Sequence, residues 1–435
     1  MKRAIAIFLL VLVVVIGWFV VMLRRPTALR VGNPRFGQTA PQMEDHKLPS
    51  ILRYRSRLAG FEQEVCFGLV LSAADGVPQE VLNLTAIEPE LGSTLQEFHT
   101  HGGFEIAERL LDPETREKEK ATRFEESIDP NELGSTILAP VDLFQDDLLI
   151  SSRLVLGVEF NYQDHDSESD LAGSLFRRQV VPTGAYTPLP LGPARPPLEG
   201  SRRLVDYGVE IGFVILEDLF LDDLPADFDA LRQRVAFFTA NEVNDVMPLL
   251  LQGESGLAEA KSGTGHLPIG PWLVHGRHLD LRSRDSGRES VDLWLQIFEA
   301  EPTYPGAWRQ YGSSSQMLHG PLEILQGIKE VWSERKQQQA GLEQASLANK
   351  VDGRGVIPAG SLVLTGSPRG TALEIPRGLD RLRLLALGNL TSRGARVAFA
   401  KHCVMHRREM GFLSIGDRVE TRVQHLGRQI WTVVP

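Results

Sequence analysis

The pattern that most limits the fold of this chain begins near residue 154. From there to the C-terminus, the short runs LVLGVEF, VEIGFVIL, RVAFFTA, SLVLTG and RQIWTVV alternate with turns rich in Gly and Pro. Runs of β-branched and aromatic residues bounded by turn formers read as strands. They do not alternate regularly with helical patterns, and no repeat is evident. One clear helix is expected over 321–347, its later half, ERKQQQAGLEQ, polar on most faces and projecting into solvent. The expected class is α+β, dominated by strands.

The 435 residues allow two or three domains, and 42% apolar with 23% charged residues is globular composition. Residues 151–435 form the expected C-terminal domain. Residues 51–150 read as a small N-terminal domain: EVCFGLVL (64–71) is a strand candidate before a turn at 74–76, and 95–111 is a helix candidate. The charge-dense stretch 112–133 reads as a solvated surface. Residues 26–50, with Pro26, Pro34, Pro41 and Pro49, read as a linker. Residues 4–23 contain no charged residue. At ~1.5 Å per residue such a helix covers about 30 Å, the thickness of a bilayer core. The run ends Val-Met-Leu-Arg-Arg, without the small-residue site of a cleaved signal. Residues 1–25 are therefore expected to be a retained, single-pass transmembrane anchor. Basic residues flank both ends, so the side of the membrane stays open.

The net charge is −10, from 56 acidic against 46 basic residues, and argues against a nucleic-acid partner. Two cysteines, Cys66 and Cys403, can make neither a disulfide framework nor a four-cysteine zinc site. The sequence lacks the phosphate loop, the GxSxG elbow, HExxH, CxxC and GxGxxG.

Four polar clusters stand out. The first, 161–168 (NYQDHDSE), directly follows an apolar strand and spaces His165 and Glu168 three apart. On one helical turn they share a face, and a carboxylate that orients an imidazole makes a general base. Taken alone, the cluster is better read as a solvated turn. The second, 206–210 (DYGVE), leads an apolar strand on which 206, 208 and 210 share a face. The third is TANEVND (239–245), and the fourth KSGTGHLPIGPW (261–272). Carboxylates from separate strands suit a hard cation such as Mg²⁺ or Mn²⁺.

The order of these clusters resembles the catalytic C-terminal domain of the fumarylacetoacetate hydrolase family. That family reads roughly N-Y-x-x-H-x-x-E, D-Y-E-x-E, N-D-V-S-x-R-D, K-S-x-D-x-x-x-P-x-G-P, G-x-T-S-x-M, L-T-G-T-P and L-x-x-G-D. Here the corresponding segments are VEFNYQDHDSE, DYGVEIGFVI, NEVNDVM, KSGTGHLPIGPW, GSSSQML, LTGSP (364–368) and FLSIGDRVE (412–420). The resemblance implies a fumarylacetoacetase-like mixed β-sandwich roll. It also implies attack on a C–C bond of a 2-oxo or 1,3-dicarbonyl acid, with a divalent metal polarising a carbonyl. Carried over, His165 is the base, Glu168 its orienting partner and Lys261 the stabiliser of enolate charge. Tyr162, Thr365 and Ser367 lie along the substrate. Glu210 and Glu242 hold Mg²⁺, or Mn²⁺ or Ca²⁺. A homodimer is implied as well.

The departures are specific. Gly208 stands where the family has its first metal-binding Glu, and Glu242 where it has Asp. Val246 replaces the arginine expected to grip the substrate carboxylate, and Val181 a lysine. Glu159 is the candidate compensating ligand, in a rewired set with Glu210 and Glu242; Asp206 is the reserve. The alternative is a degenerate member that binds a small acid or joins a membrane complex without catalysis. His266, His275 and His278 fit no zinc spacing and read as satisfied or exposed. The insertion 377–408 carries eight Lys or Arg against Asp380, and reads as a solvated hairpin.

Overall fold

The computed structural model describes residues 17, 43, 47–142, 144–145, 148–149, 154–158, 161–162, 175–178, 180–191, 203–263, 265–281, 290–300, 307–339, 355–374, 376, 378–389 and 391–435. Two of its strands, Val209–Ile215 and Val235–Asn241, are buried along their whole length. A strand covered on both faces reads as a continuous apolar run rather than an alternating one, which is what VEIGFVI and VAFFTAN do. They pair antiparallel, with Gly212 opposite Phe238. A side chain at Gly212 would meet the Phe238 ring at 2.3 Å, so glycine there is what admits the ring.

These two strands are the centre of a large mixed sheet. On one side follow Leu362–Leu364, Val155–Val158 and Leu175–Arg178. The step from Leu362–Leu364 to Val155–Val158 is parallel; most others are antiparallel. On the other side Trp272–His275 pairs with Ser50–Arg55, placing Ile51 opposite Leu273. Val65–Ala74, Val77–Asn83 and Glu125–Ser127 then extend the sheet outward. Strands from 50–127 and from 155–364 thus share one ladder. A second sheet contains Leu189–Pro190, Gly427–Val434, Arg418–Val423, Asp292–Phe298 and Ala307–Ser313, in that order. Its strand Gly427–Val434 alternates buried and half-buried positions, with Trp431 in the core. Together the sheets and their helices form a mixed α/β roll.

The helix candidate over 95–111 is two helices, Leu95–Thr100 and Gly103–Leu111. Thr94 and Glu97 form a reciprocal capping box on the first. Gly102, at φ 73°, takes the left-handed conformation that separates them. Phe98 packs on Phe67 of the sheet and on Phe104 of the second helix, with centroids 4.5 and 5.2 Å away. A buried aromatic of this kind stabilises by about 1.5–3 kcal/mol. The stretch 112–133 is not wholly solvated: Arg116 is buried and donates to Leu110 O and Leu111 O at 3.0 Å.

The expected long helix is seen over Pro321–Gln339; its continuation towards 347 lies outside the described residues. The basic insertion folds into a helical hairpin, Gly378–Leu387 and Ser392–Met405, that buries Phe399, Ala400 and Cys403. Composition suggested a solvated surface, but one face of the second helix is core.

The membrane anchor is a correction. Among the described residues no helix is long and apolar enough to cross a membrane. The run 4–23, apart from Gly17, lies outside the described residues. The expected leading transmembrane helix and single-pass placement rested on that run alone, and no described helix takes that part.

Candidate functional site

The central strands end together. Glu210 lies near the start of Val209–Ile215 and pairs across to Ala240; Glu242 follows the end of Val235–Asn241. The Glu242 N–H donates to Gly208 O at 2.7 Å, which continues the ladder one step beyond the strands. On the other flank Thr365 follows Leu362–Leu364, and Gly366 N–H donates to Glu210 Oε2 at 2.9 Å. Segments distant in sequence, 206–210, 241–245 and 364–368, therefore meet at one sheet end.

Lys261 reaches this edge from a separate segment. It caps the short helix Leu257–Ala260 at its C-terminus, and its Nζ donates to Glu242 Oε2 at 2.6 Å. Their side chains are only 7% and 9% exposed. A charge-assisted bond so deeply buried is strong, because removing either partner leaves the other charge without its counter-ion. Asn244 Nδ2 also reaches Glu242 Oε2, at 3.5 Å.

The strand predicted to carry 206, 208 and 210 on one face is interrupted. Val205–Asp206 pairs with Asn244–Asp245, and the strand bearing Glu210 starts anew at Val209. Asp206 is therefore not a neighbour of Glu210 on a shared strand face. Its Oδ1 accepts the N–H groups of Tyr207 (2.8 Å) and Ala372 (2.6 Å), and its Oδ2 that of Leu373 (2.9 Å). It is a clamp on the loop that follows Ser367.

Gly208 is closed rather than vacant. A Cβ built there would fall 2.9 Å from both Cβ and Oγ of Ser367, closer than atoms of this kind approach. The Ser367 side chain fills the space a larger residue at 208 would enter. Asn241 holds this arrangement: its Oδ1 accepts Gly208 N–H at 3.3 Å and its Nδ2 donates to Thr421 Oγ1 at 2.8 Å.

Among the other expected site residues, Tyr162 is buried and bridges to Met317 of the segment GSSSQML. Thr365 Oγ1 donates to Ile211 O at 2.9 Å, a bond within the scaffold. His165, Glu168 and Glu159 lie outside the described residues. Val246, at the position of the family arginine, is buried core; Val181 is exposed. His266 is buried over Gly263, and His278 Nε2 is 2.6 Å from Glu108. Asn161 and Gln310 were not singled out as organisers. Asn161 Nδ2 donates to Thr365 O and His319 O, both at 2.8 Å. Gln310 accepts Val209 N–H at 2.8 Å and donates to Pro368 O at 2.7 Å. The signal for Asn161 was its place in the NY pair; Gln310 gave none.

The expected metal binding is a second correction, made on the described residues; Glu159 of the expected set lies outside them. Among the described residues no group of three or more His, Cys, Asp or Glu could hold an ion. The chemistry of the donors explains this. Glu242 is engaged by an ammonium, Glu210 by a backbone N–H, and Asp206 by three of them. A dication about 4 Å from the Lys261 ammonium would meet a repulsion of about 8 kcal/mol at an effective dielectric of about 20. The described donors do not fit a divalent ion.

A mixed α/β roll whose central strand ends gather a buried Lys–Glu pair, a second Glu and a clamped loop resembles the fumarylacetoacetate-hydrolase-like roll. Residues 155–434 match the family described as fumarylacetoacetate (FAA) hydrolase C-terminal, and the chain belongs to that family. Among solved structures it is similar to a fumarylacetoacetate hydrolase from the psychrophile Exiguobacterium antarcticum. The identity is 17%, covering 88% of this chain and 99% of that one, with a TM-score of 0.51. A putative HpcE protein from Mycobacterium smegmatis is similar at 18% identity, with the same coverages and TM-score. A probable 2-hydroxyhepta-2,4-diene-1,7-dioate isomerase from Mycobacterium abscessus matches at 18% identity, 88% and 98% coverage, and a TM-score of 0.47. No curated protein matches the chain by sequence. At these identities the likeness extends to the fold. It supplies neither a dimer interface nor a membrane attachment, and the expected homodimer and membrane partner are withdrawn with the anchor.

Proposed function

We propose that this chain is an enzyme acting on a small dicarbonyl acid, as a hydrolase or an isomerase. The finer form of the proposal is hydrolysis of a C–C bond in a 2-oxo or 1,3-dicarbonyl acid. The observation that carries it is the Lys261–Glu242 pair at 2.6 Å, buried where family segments converge at one sheet end. Cleaving or shifting a bond next to a carbonyl places negative charge on an enolate oxygen. A fixed, desolvated ammonium stabilises such charge far better than water does. In this proposal Lys261 takes that role, and Glu242 holds its Nζ in position. His165 serves as the base that activates water or moves the proton, oriented by Glu168. Tyr162, Thr365 and Ser367 border the substrate.

The test is a panel of acylpyruvates and enol-diacids incubated with the full chain. Loss of the enol absorbance reports reaction, and the products separate the two chemistries: hydrolysis yields two acids, whereas isomerisation conserves mass. Lys261→Met and His165→Ala are each expected to lower the rate at least ~100-fold while the far-ultraviolet circular dichroism is retained. A folded protein that leaves every acid of the panel unchanged would overturn the proposal.

A further inference from the structure

We infer that this chain holds the carboxylate or oxo group of its ligand with the Lys261 ammonium in place of a divalent cation, so that ligand binding is metal-independent. The inference rests on the reading above that the site takes a small oxo-acid.

Three independent features point the same way. First, position 208 has no room for a ligating side chain. Its Cβ would collide with Ser367, and Ser367 lies on a loop fixed by Asp206 through Ala372 N–H and Leu373 N–H. The loop cannot retreat without breaking those bonds. Second, the strand end carries a cation of its own. Glu242 has an ammonium at 2.6 Å, so the strand end already holds the cation its carboxylate requires. Third, Glu210 Oε2 accepts Gly366 N–H, which ties the strand to the LTGSP loop and fixes the direction of that oxygen. A site with one ligand position closed, one carboxylate neutralised and one bonded to the backbone suits an oxo-acid anion gripped by an ammonium. It does not suit the octahedral shell that Mg²⁺ demands.

The experiment is calorimetric titration of the chelator-stripped full chain, first with Mg²⁺ and Mn²⁺ and then with oxalate, a compact oxo-acid mimic. The expected result is no saturable metal binding at millimolar concentrations, with oxalate affinity unchanged by chelator. Lys261→Met should weaken oxalate at least ~10-fold, the loss of one charge-assisted bond. Lys261→Arg, which keeps the charge and guards against a folding artefact, should weaken it less. Saturable metal binding that Glu210→Ala removes would overturn the inference. So would oxalate binding that appears only with added Mg²⁺, and that result would leave the family-level proposal intact. Absence of oxalate binding in both conditions would overturn the inference and the oxo-acid reading together.

Discussion

The two ends of strand Val235–Asn241 treat a buried titratable group in opposite ways. At one end Ala236 pairs with His275. The His275 ring packs edge-on against Phe104, centroids 4.8 Å apart, and its Nδ1 accepts Arg277 N–H at 3.2 Å. Burial is the main cause that pushes its pKa down to about 3, with the charges of Arg277 and His278 adding to it and Glu105 opposing. At the other end Glu242 meets Lys261. Burial alone discharges a group; burial with a partner holds two charges in place. The first end is packing, and its polar atom is made harmless. The second end keeps an ion pair at a cost in desolvation, which is reasonable where charge is needed for a ligand.

The largest effect that would sharpen this contrast comes from the clamp beside the ion pair. Asp206→Ala deprives three N–H groups of their acceptor. Each loss costs about 1–3 kcal/mol when buried, so about 3–7 kcal/mol in total is expected, with the half-buried Leu373 at the low end. Asp206→Asn, which keeps one acceptor oxygen, should fall between. Urea unfolding measures both. A loss below about 1 kcal/mol for the alanine variant would mean the 366–373 loop is held by something else.

Next comes the pair itself. Lys261→Met leaves Glu242 buried without its ammonium, and about 3–5 kcal/mol of stability should go. Adding Glu242→Leu removes the stranded charge and should restore most of it. If the double variant is as unstable as the sum of the singles, the two side chains do not act as a unit.

A smaller loss is expected from Gly208→Ala. The added methyl meets Ser367 at 2.9 Å, and overpacking of this kind costs about 1–3 kcal/mol. Ser367→Gly in the same chain should recover much of that. Equal losses with and without the serine change would show that Gly208 is needed for its backbone and not for the space it leaves.

How much of this could be seen in the sequence varies with the residue. VEIGFVI and VAFFTAN were plain, because a strand buried on both faces is apolar along most of its length. The conjunction of Glu210, Glu242 and Lys261 followed from motif order, although spacing alone does not bring residues 210 and 261 together. DYGVE misled: period-two alternation predicts one face for 206 and 210, but the chain breaks at Tyr207–Gly208, where Asp206 turns to hold a loop 166 residues away. The closure of Gly208 by Ser367 was equally invisible, since it depends on a contact between segments that share no local pattern. The basic insertion hid its buried face because the eight Lys and Arg counted over 377–408 masked the apolar run around Phe399 on Ser392–Met405.

The other end of the strand supplies the finest test. A histidine whose folded pKa lies below its unfolded value binds protons more readily when unfolded. Its stabilising contribution is thus complete above about pH 6.5 and is lost as pH falls from there towards about 3. At pH 5.5 the loss from His275 should be about 1.4 kcal/mol, from the roughly tenfold excess of protonated unfolded chain. That pH lies above the range in which Glu97 and Glu105, whose pKa values are lowered, take up protons. His99, His278 and His402 are also lowered, but they remain in both proteins compared. His275→Asn retains an acceptor for Arg277 N–H and removes the titration. Unfolding free energies from urea at pH 7.5 and 5.5 should therefore separate less in the variant than in the wild type, by about 1.4 kcal/mol. Equal separations would mean that His275 can take up a proton without leaving its place against Phe104, and the contrast between the two strand ends would rest on Lys261 and Glu242 alone.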